Sequence, residues 1–260
     1  MLEGLWLRKE YENKPLYIFF FGLIFTVLAS VISKFVFPSF TGIISVFLVS
    51  LMGAYPLITY LRKKESQEMM RKMSEEKLLR RHEDELMIYL SFFLGVTIGY
   101  IISACFLPSN YFQIQEEVIL SIRGTITGNI LNTSFLHAII SNNLWVFFLT
   151  FGISFLFSAG MIFLLVWNAS VLGVFLAKAS ENITHFHLLA ISYLPHGLLE
   201  ITAYILAGIS GAMISYQFDY YFVRKEKYDL EPVLRAVKDS LVLLAIGLIC
   251  LFLAGIIEVM

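Results

Sequence analysis

The sequence predicts an all-α protein, a polytopic transmembrane helical bundle of about six spans with a broken or re-entrant segment before Pro195. Three observations lead there. Of 260 residues, 58% are hydrophobic and only 15% are charged, more apolar surface than a soluble core of this size hides. The apolar residues fall in runs of about twenty, the length that crosses a bilayer. Before Pro195 the pattern breaks, because Ala169 to Lys178 is too short to cross and Ser180 to His187 holds Glu181, His185 and His187.

The first apolar run, Leu16 to Phe37, is about 22 residues or roughly 33 Å of helix. It is too long for the apolar region of a signal peptide, so it reads as a retained span. Arg8, Lys9 and Lys14 precede it and place the N-terminus on the cytoplasmic side. Pro38-Ser39 makes a turn, and Phe40 to Leu61 returns the chain, with Pro56 available to kink the helix. Residues 1–61 therefore form an N-terminal helical hairpin. Residues 62–86 follow as a charged cytoplasmic helix, with eight Lys/Arg beside seven Asp/Glu. Glu68–Lys72 and Glu76–Arg80 are favourable i,i+4 pairs. Met69, Met70, Met73, Leu78 and Leu79 add an adaptable apolar face for a partner or the membrane surface.

Residues 87–260 form the membrane core. Met87 to Leu107 is a third span with a Gly95–Gly99 pair suited to close helix approach. Pro108 to Asn142 reads as an outer segment of amphipathic helices lying at the interface. Leu144 to Trp167 is the fourth span. Ala169 to Lys178 is apolar but only about ten residues long, a half-helix or re-entrant element. Pro195 opens the fifth span, which runs to about Ser215 and carries Gly197, Gly208 and Gly211 as a small-residue packing side. Leu241 to Met260 forms the last. Six simple spans put residues 216–238 outside, yet Arg224, Lys225, Lys227, Arg235 and Lys238 favour the inside. Either the neighbouring acidic residues weaken that rule or the broken region supplies another crossing.

Charge and cysteine content exclude several function classes. A net charge of −1 argues against nucleic-acid binding. The two cysteines, Cys105 and Cys250, lie within apolar runs and offer neither a disulfide framework nor a Cys-rich zinc site. Phosphate loops, serine elbows and kinase signatures are absent from the sequence.

The candidate site is a set of polar residues in the apolar second half: Asn143, Asn168, His196, Glu200 and Glu258. His196 and Glu200 are four apart and share one helix face. Ionisable groups in a span face a bundle interior, a cavity or each other. Three readings are open. In the first, the set is a structural network and the protein is a scaffold. In the second, Glu200 or Glu258 carries a proton or cation for a transporter. In the third, His196, Glu200 and Glu258 hold a divalent metal ion, with catalysis as a minority reading; no His-Glu-x-x-His motif is present.

The residues Asn143, Asn168 with Gly173, Pro195-His196-Gly197-x-x-Glu200, Gly208, Gly211 and Ala254-Gly255-Ile256-Ile257-Glu258 together resemble the stage II sporulation protein M family. The resemblance covers about residues 85–260; Asn168-Ala169 stands where the family usually has Asn-Gly. It implies a multi-pass cell-membrane protein without established enzyme activity. In spore formers such a protein is a scaffold holding peptidoglycan-degrading partners at the engulfing septum. Expected partners are the lipid bilayer, membrane or envelope proteins, and a second copy of the chain, since two-fold closure is the commonest arrangement and the glycine faces at 95–99 and 208–211 invite it.

Overall fold

A computed structural model describes residues 14–70, 82–126, 133–157, 159–179, 183–219 and 231–259. The described chain is an all-α bundle: α1 Pro15–Val36, α2 Thr41–Met70, α3 Glu83–Phe106, α4 Gln113–Ile126, α5 Thr133–Leu156, α6 Gly160–Ala179, α7 Ile183–Phe218 and α8 Glu231–Val259. Six of these hold stretches long and apolar enough to cross a membrane, within α1, α2, α3, α6, α7 and α8. The apolar part of α5, Ile140–Leu156, is shorter.

Pro15 starts α1 at a position where its missing N–H costs nothing. Pro38–Phe40 turns the chain in a short 3₁₀ helix, and the Thr41 hydroxyl donates to the carbonyls of Phe37 and Pro38. Helix α2 then runs straight through Pro56 to Met70, so the hairpin and the charged connector share one helix. The expected Glu68–Lys72 and Glu76–Arg80 pairs, and the methionine face, lie outside the described side chains.

Helices α1 and α3 meet backbone to backbone. A Cβ at Gly95 would collide with the Phe19 carbonyl, one at Gly99 would sit 2.6 Å from Thr26 Cβ, and one at Gly22 would sit 2.9 Å from the Phe92 carbonyl. On α7, Gly208 receives Met161 at 2.7 Å and Gly211 admits the Phe151 carbonyl. Both glycine faces that suggested a second copy are thus filled within the chain. Gly197 differs from the others: a Cβ there would meet open space, so it serves no close packing. Helices α7 and α8 are pinned by reciprocal bonds, Ser210 Oγ to the Ser240 carbonyl at 3.3 Å and Ser240 Oγ to the Ser210 carbonyl at 3.2 Å. Tyr100, fully buried, joins α3 to α2 through Ser45 at 3.0 Å.

The break in the second half falls elsewhere than expected. The apolar run Leu144 to Trp167 is not one span: α5 ends at Leu156 and α6 begins at Gly160. Residues 169–178 are the second half of that 20-residue helix, not a re-entrant element. From Ile183 the chain is helical through Pro195, which lies inside the 36-residue α7; residues 180–182 lie outside the described residues. The cause is local. The Gly160 N–H bonds back to the Phe157 carbonyl at 2.7 Å and Ile162 to Ala159 at 3.0 Å, a tight turn of small and apolar residues that hydropathy does not register. Likewise the outer segment is α4 plus the start of α5, and only α4 is short.

This split fixes which ends face the same way. Arg62 at the end of α2's apolar stretch, Leu156 and Phe157 at the α5–α6 turn, and Ser215 and Asp219 at the end of α7 line one cleft. At the opposite end, Lys178 of α6 pairs with Glu116 of α4. Helix α5 therefore traverses the bundle, and the segment after α7 emerges at the end where the 62–86 connector emerges, here the connector end. The extra traverse that the positive charges of 216–238 called for lies at 133–156; Arg224, Lys225 and Lys227 themselves are outside the described residues.

Candidate functional site

His196, Glu200 and Tyr204 recur every four residues along α7 and so form one ladder on its face. Opposite them α5 presents Asn143, only 7% exposed. Its Nδ2 donates to Glu200 Oε1 at 2.5 Å, while its Oδ1 accepts from the Tyr204 hydroxyl at 3.2 Å. Asn142 Nδ2 approaches the same Oδ1 at 3.4 Å. Asn143 is thus the bridge of the site, binding two rungs of the α7 ladder with both ends of its amide. A carboxylate accepting from an amide in a bundle interior gains more than the same bond in water, because the surroundings screen less.

Glu258, the penultimate residue of α8, acts electrostatically on both Glu200 and Tyr204. Its Oε2 is buried with no hydrogen-bond partner among the described residues. His196 is buried beside them, 9% exposed. Asn168, expected in the same set, stands apart: its Nδ2 donates to the Leu164 carbonyl of its own helix at 2.8 Å. The structure therefore brings Asn143, Glu200 and Tyr204 into direct contact, sets His196 and Glu258 around them, and leaves Asn168 out.

The three-ligand metal cage is not assembled. Among the described residues no three His, Cys, Asp or Glu side chains converge as metal ligands. Helix register explains this. Ser210 lies level with Ser240, and the Cβ position of Gly247 meets the Ala203 carbonyl at 3.4 Å. By that register Glu258 sits about eight residues, roughly 12 Å, beyond the level of Glu200.

A second polar cluster lies at the connector end, where the sequence promised only solvated charge. Glu85 is 0% exposed, and His82 Nδ1 lies 2.5 Å from its Oε2. Lys64 Nζ, at the end of α2's apolar stretch, stands 3.8 Å from both Glu85 Oε1 and Asp84. The buried hydroxyl of Tyr89 has no hydrogen-bond partner among the described residues. Glu85 thus ties residue 64 to residue 82, across the base of the charged connector. Tyr204 was missed because a tyrosine in an aromatic-rich span is unremarkable by type; its i+4 spacing from Glu200 was the usable signal. His82 and Glu85 were missed because they sit inside a charged block.

Comparison with known proteins places the chain as follows. A sequence model of the family described as Stage II sporulation protein M matches residues 88–260. An uncharacterized protein of Methanocaldococcus jannaschii is 31% identical over 122 residues, 47% of this chain and 67% of the relative. No solved structure matches.

Proposed function

This chain belongs to the stage II sporulation protein M family, and from that premise we propose that it is a multi-pass membrane scaffold whose polar site is a structural lock. One observation supports the reading above others: Asn143 spends both ends of its amide on Glu200 and Tyr204. The signature carboxylate is committed to fixing α5 against α7. A network satisfied in this way specifies one arrangement of helices, which a scaffold needs in order to present a constant surface. Its partners are membrane or envelope proteins; in a spore former, the resemblance points to enzymes that cut the cell wall.

A second reading is favoured by the buried Glu258 Oε2, which has no hydrogen-bond partner among the described residues. Carboxylates inside membrane spans are the usual proton and cation relays of pumps and transporters, and a transporter would use Glu200 and Glu258 so. Proteoliposome flux of protons and of monovalent and divalent cations separates the two. Under the scaffold reading, wild type and Glu200→Gln leak equally, and a photo-crosslinker at the exposed Leu120 captures discrete membrane proteins from native cells. Flux that disappears in Glu200→Gln refutes the scaffold reading in favour of transport.

A further inference from the structure

The cleft at the connector end holds hydrogen-bond donors that the bundle itself does not use. Its volume is about 360 Å³, within the range of small-ligand sites. Arg62 reaches it from α2, and Ser215 and Tyr216 reach it from α7. The Arg62 guanidinium and the two hydroxyls make no hydrogen bond or ion pair with any described residue. Arg62 is exposed, and Ser215 and Tyr216 are half-buried, so none of the three is sealed from a ligand that enters. Asp219 also lines the cleft, but it already has an interaction partner. It stands about one turn beyond Ser215, exposed, where solvent and salt screen its charge.

Position along the helices gives the depth. Arg62 is the first charged residue of α2, and α7 carries no charge from Ile201 to its end at Phe218. The donors therefore sit where hydrocarbon gives way to headgroups, beside the α5–α6 turn with its exposed Leu156 and Phe157. Their chemistry selects an anion. A guanidinium only donates, and a hydroxyl turns its proton toward whatever acceptor is present. The number of acceptors narrows the class. A carboxylate has two oxygens in one plane, and the guanidinium fork occupies both. A phosphate monoester has three terminal oxygens, enough for the fork of Arg62 and for hydroxyls arriving from a second helix.

We infer that this cleft is a phosphate-monoester site, with Arg62 of α2 gripping the group from one wall and Ser215 and Tyr216 of α7 donating from the other. Asp219 is not a ligand. Two sources carry this chemistry at such a depth, a lipid whose headgroup is a bare phosphate and a soluble phosphate from the adjoining water. A lipid would also lay its glycerol and upper acyl chain over Leu156 and Phe157.

The test has two arms, both on the full chain. In the first, nanodiscs of mixed phosphatidic acid, phosphatidylglycerol and phosphatidylcholine are analysed by native mass spectrometry for retained lipid. In the second, discs of phosphatidylcholine alone are titrated with inorganic phosphate while the thermal midpoint is followed. A lipid source enriches phosphatidic acid about tenfold over its share in the disc, the size of one charge-assisted hydrogen bond. A soluble source raises the midpoint with phosphate and enriches no lipid. In whichever arm responds, Arg62→Gln abolishes the response, Tyr216→Phe lowers it severalfold, and Asp219→Asn and Lys63→Gln do not lower it. Helical content by circular dichroism checks that the variants fold. Lipid retained in proportion to disc composition with no midpoint response, equal enrichment of phosphatidic acid and phosphatidylglycerol, a response that survives Arg62→Gln, or one that Lys63→Gln or Asp219→Asn abolishes each overturns the proposal.

Discussion

Replacing Asn143 by alanine removes the bridge from both rungs of the α7 ladder at once. Glu200 Oε1 loses a donor at 2.5 Å, and the Tyr204 hydroxyl loses its acceptor at 3.2 Å. A hydrogen bond to a charged group contributes about 1.5–3 kcal/mol and a neutral one about 1 kcal/mol, so the substitution costs about 3 kcal/mol. For a chain of this size that is a fall of about 6–12 °C in thermal midpoint. Glu200→Gln behaves differently. The glutamine carbonyl still accepts from Asn143, and the repulsion from Glu258 disappears, so the midpoint holds or rises. The pair is measured by following unfolding in detergent micelles, alongside Tyr204→Phe and the double variant Asn143→Ala, Tyr204→Phe. Because Asn143 contacts Tyr204, the two losses are not additive; a coupling of at least about 0.5 kcal/mol is expected. An Asn143→Ala midpoint within about 1 °C of wild type, or strict additivity with Tyr204→Phe, would refute the lock.

The other predictions concern packing, topology and the connector. Glu85→Ala strips a buried carboxylate from His82 and Lys64 and costs about 3–5 kcal/mol, read as a lower midpoint and faster tryptic cleavage of the 62–86 connector; unchanged cleavage speaks against a clamp. Gly95→Ala drives a Cβ into the Phe19 carbonyl and costs about 1–3 kcal/mol, whereas Gly197→Ala, entering open space, leaves the midpoint unaltered; equal effects of the two contradict the packing. In a chain lacking Cys105 and Cys250, impermeant thiol reagents should label Lys63→Cys and Asp219→Cys from one face and Glu117→Cys from the other. Labelling of positions 63 and 219 from opposite faces excludes the traverse by α5.

Most spans were legible because hydrocarbon selects composition over twenty residues at a time, and that averages away local accidents. The α5–α6 break was not legible for the same reason. Phe157, Ser158 and Ala159 carry no charge and no proline, and the backbone turn closes through the N–H of Gly160, which hydropathy does not weigh. Asn143, Glu200 and Glu258 stood out because each is polar in an apolar setting. Asn168 stood out equally, yet its amide is spent on Leu164 one turn back. Residue type does not separate an amide that bridges helices from one that bonds its own helix; only the third dimension does. The reverse error hid Glu85, since a carboxylate among fourteen charged neighbours looks solvated until it is found at 0% exposure.

The length of α7 has a consequence for where the lock operates. Thirty-six residues make about 54 Å of helix, against about 30 Å of hydrocarbon. Counting about twenty residues back from Phe218 brings the hydrocarbon edge to the neighbourhood of Leu198. His196 then lies at the far rim of the membrane, Glu200 within a turn of it, and Glu258, higher still by the α7–α8 register, at the level of the headgroups. The signature is a feature of the bundle's rim, where α5 and α7 are already fastened together.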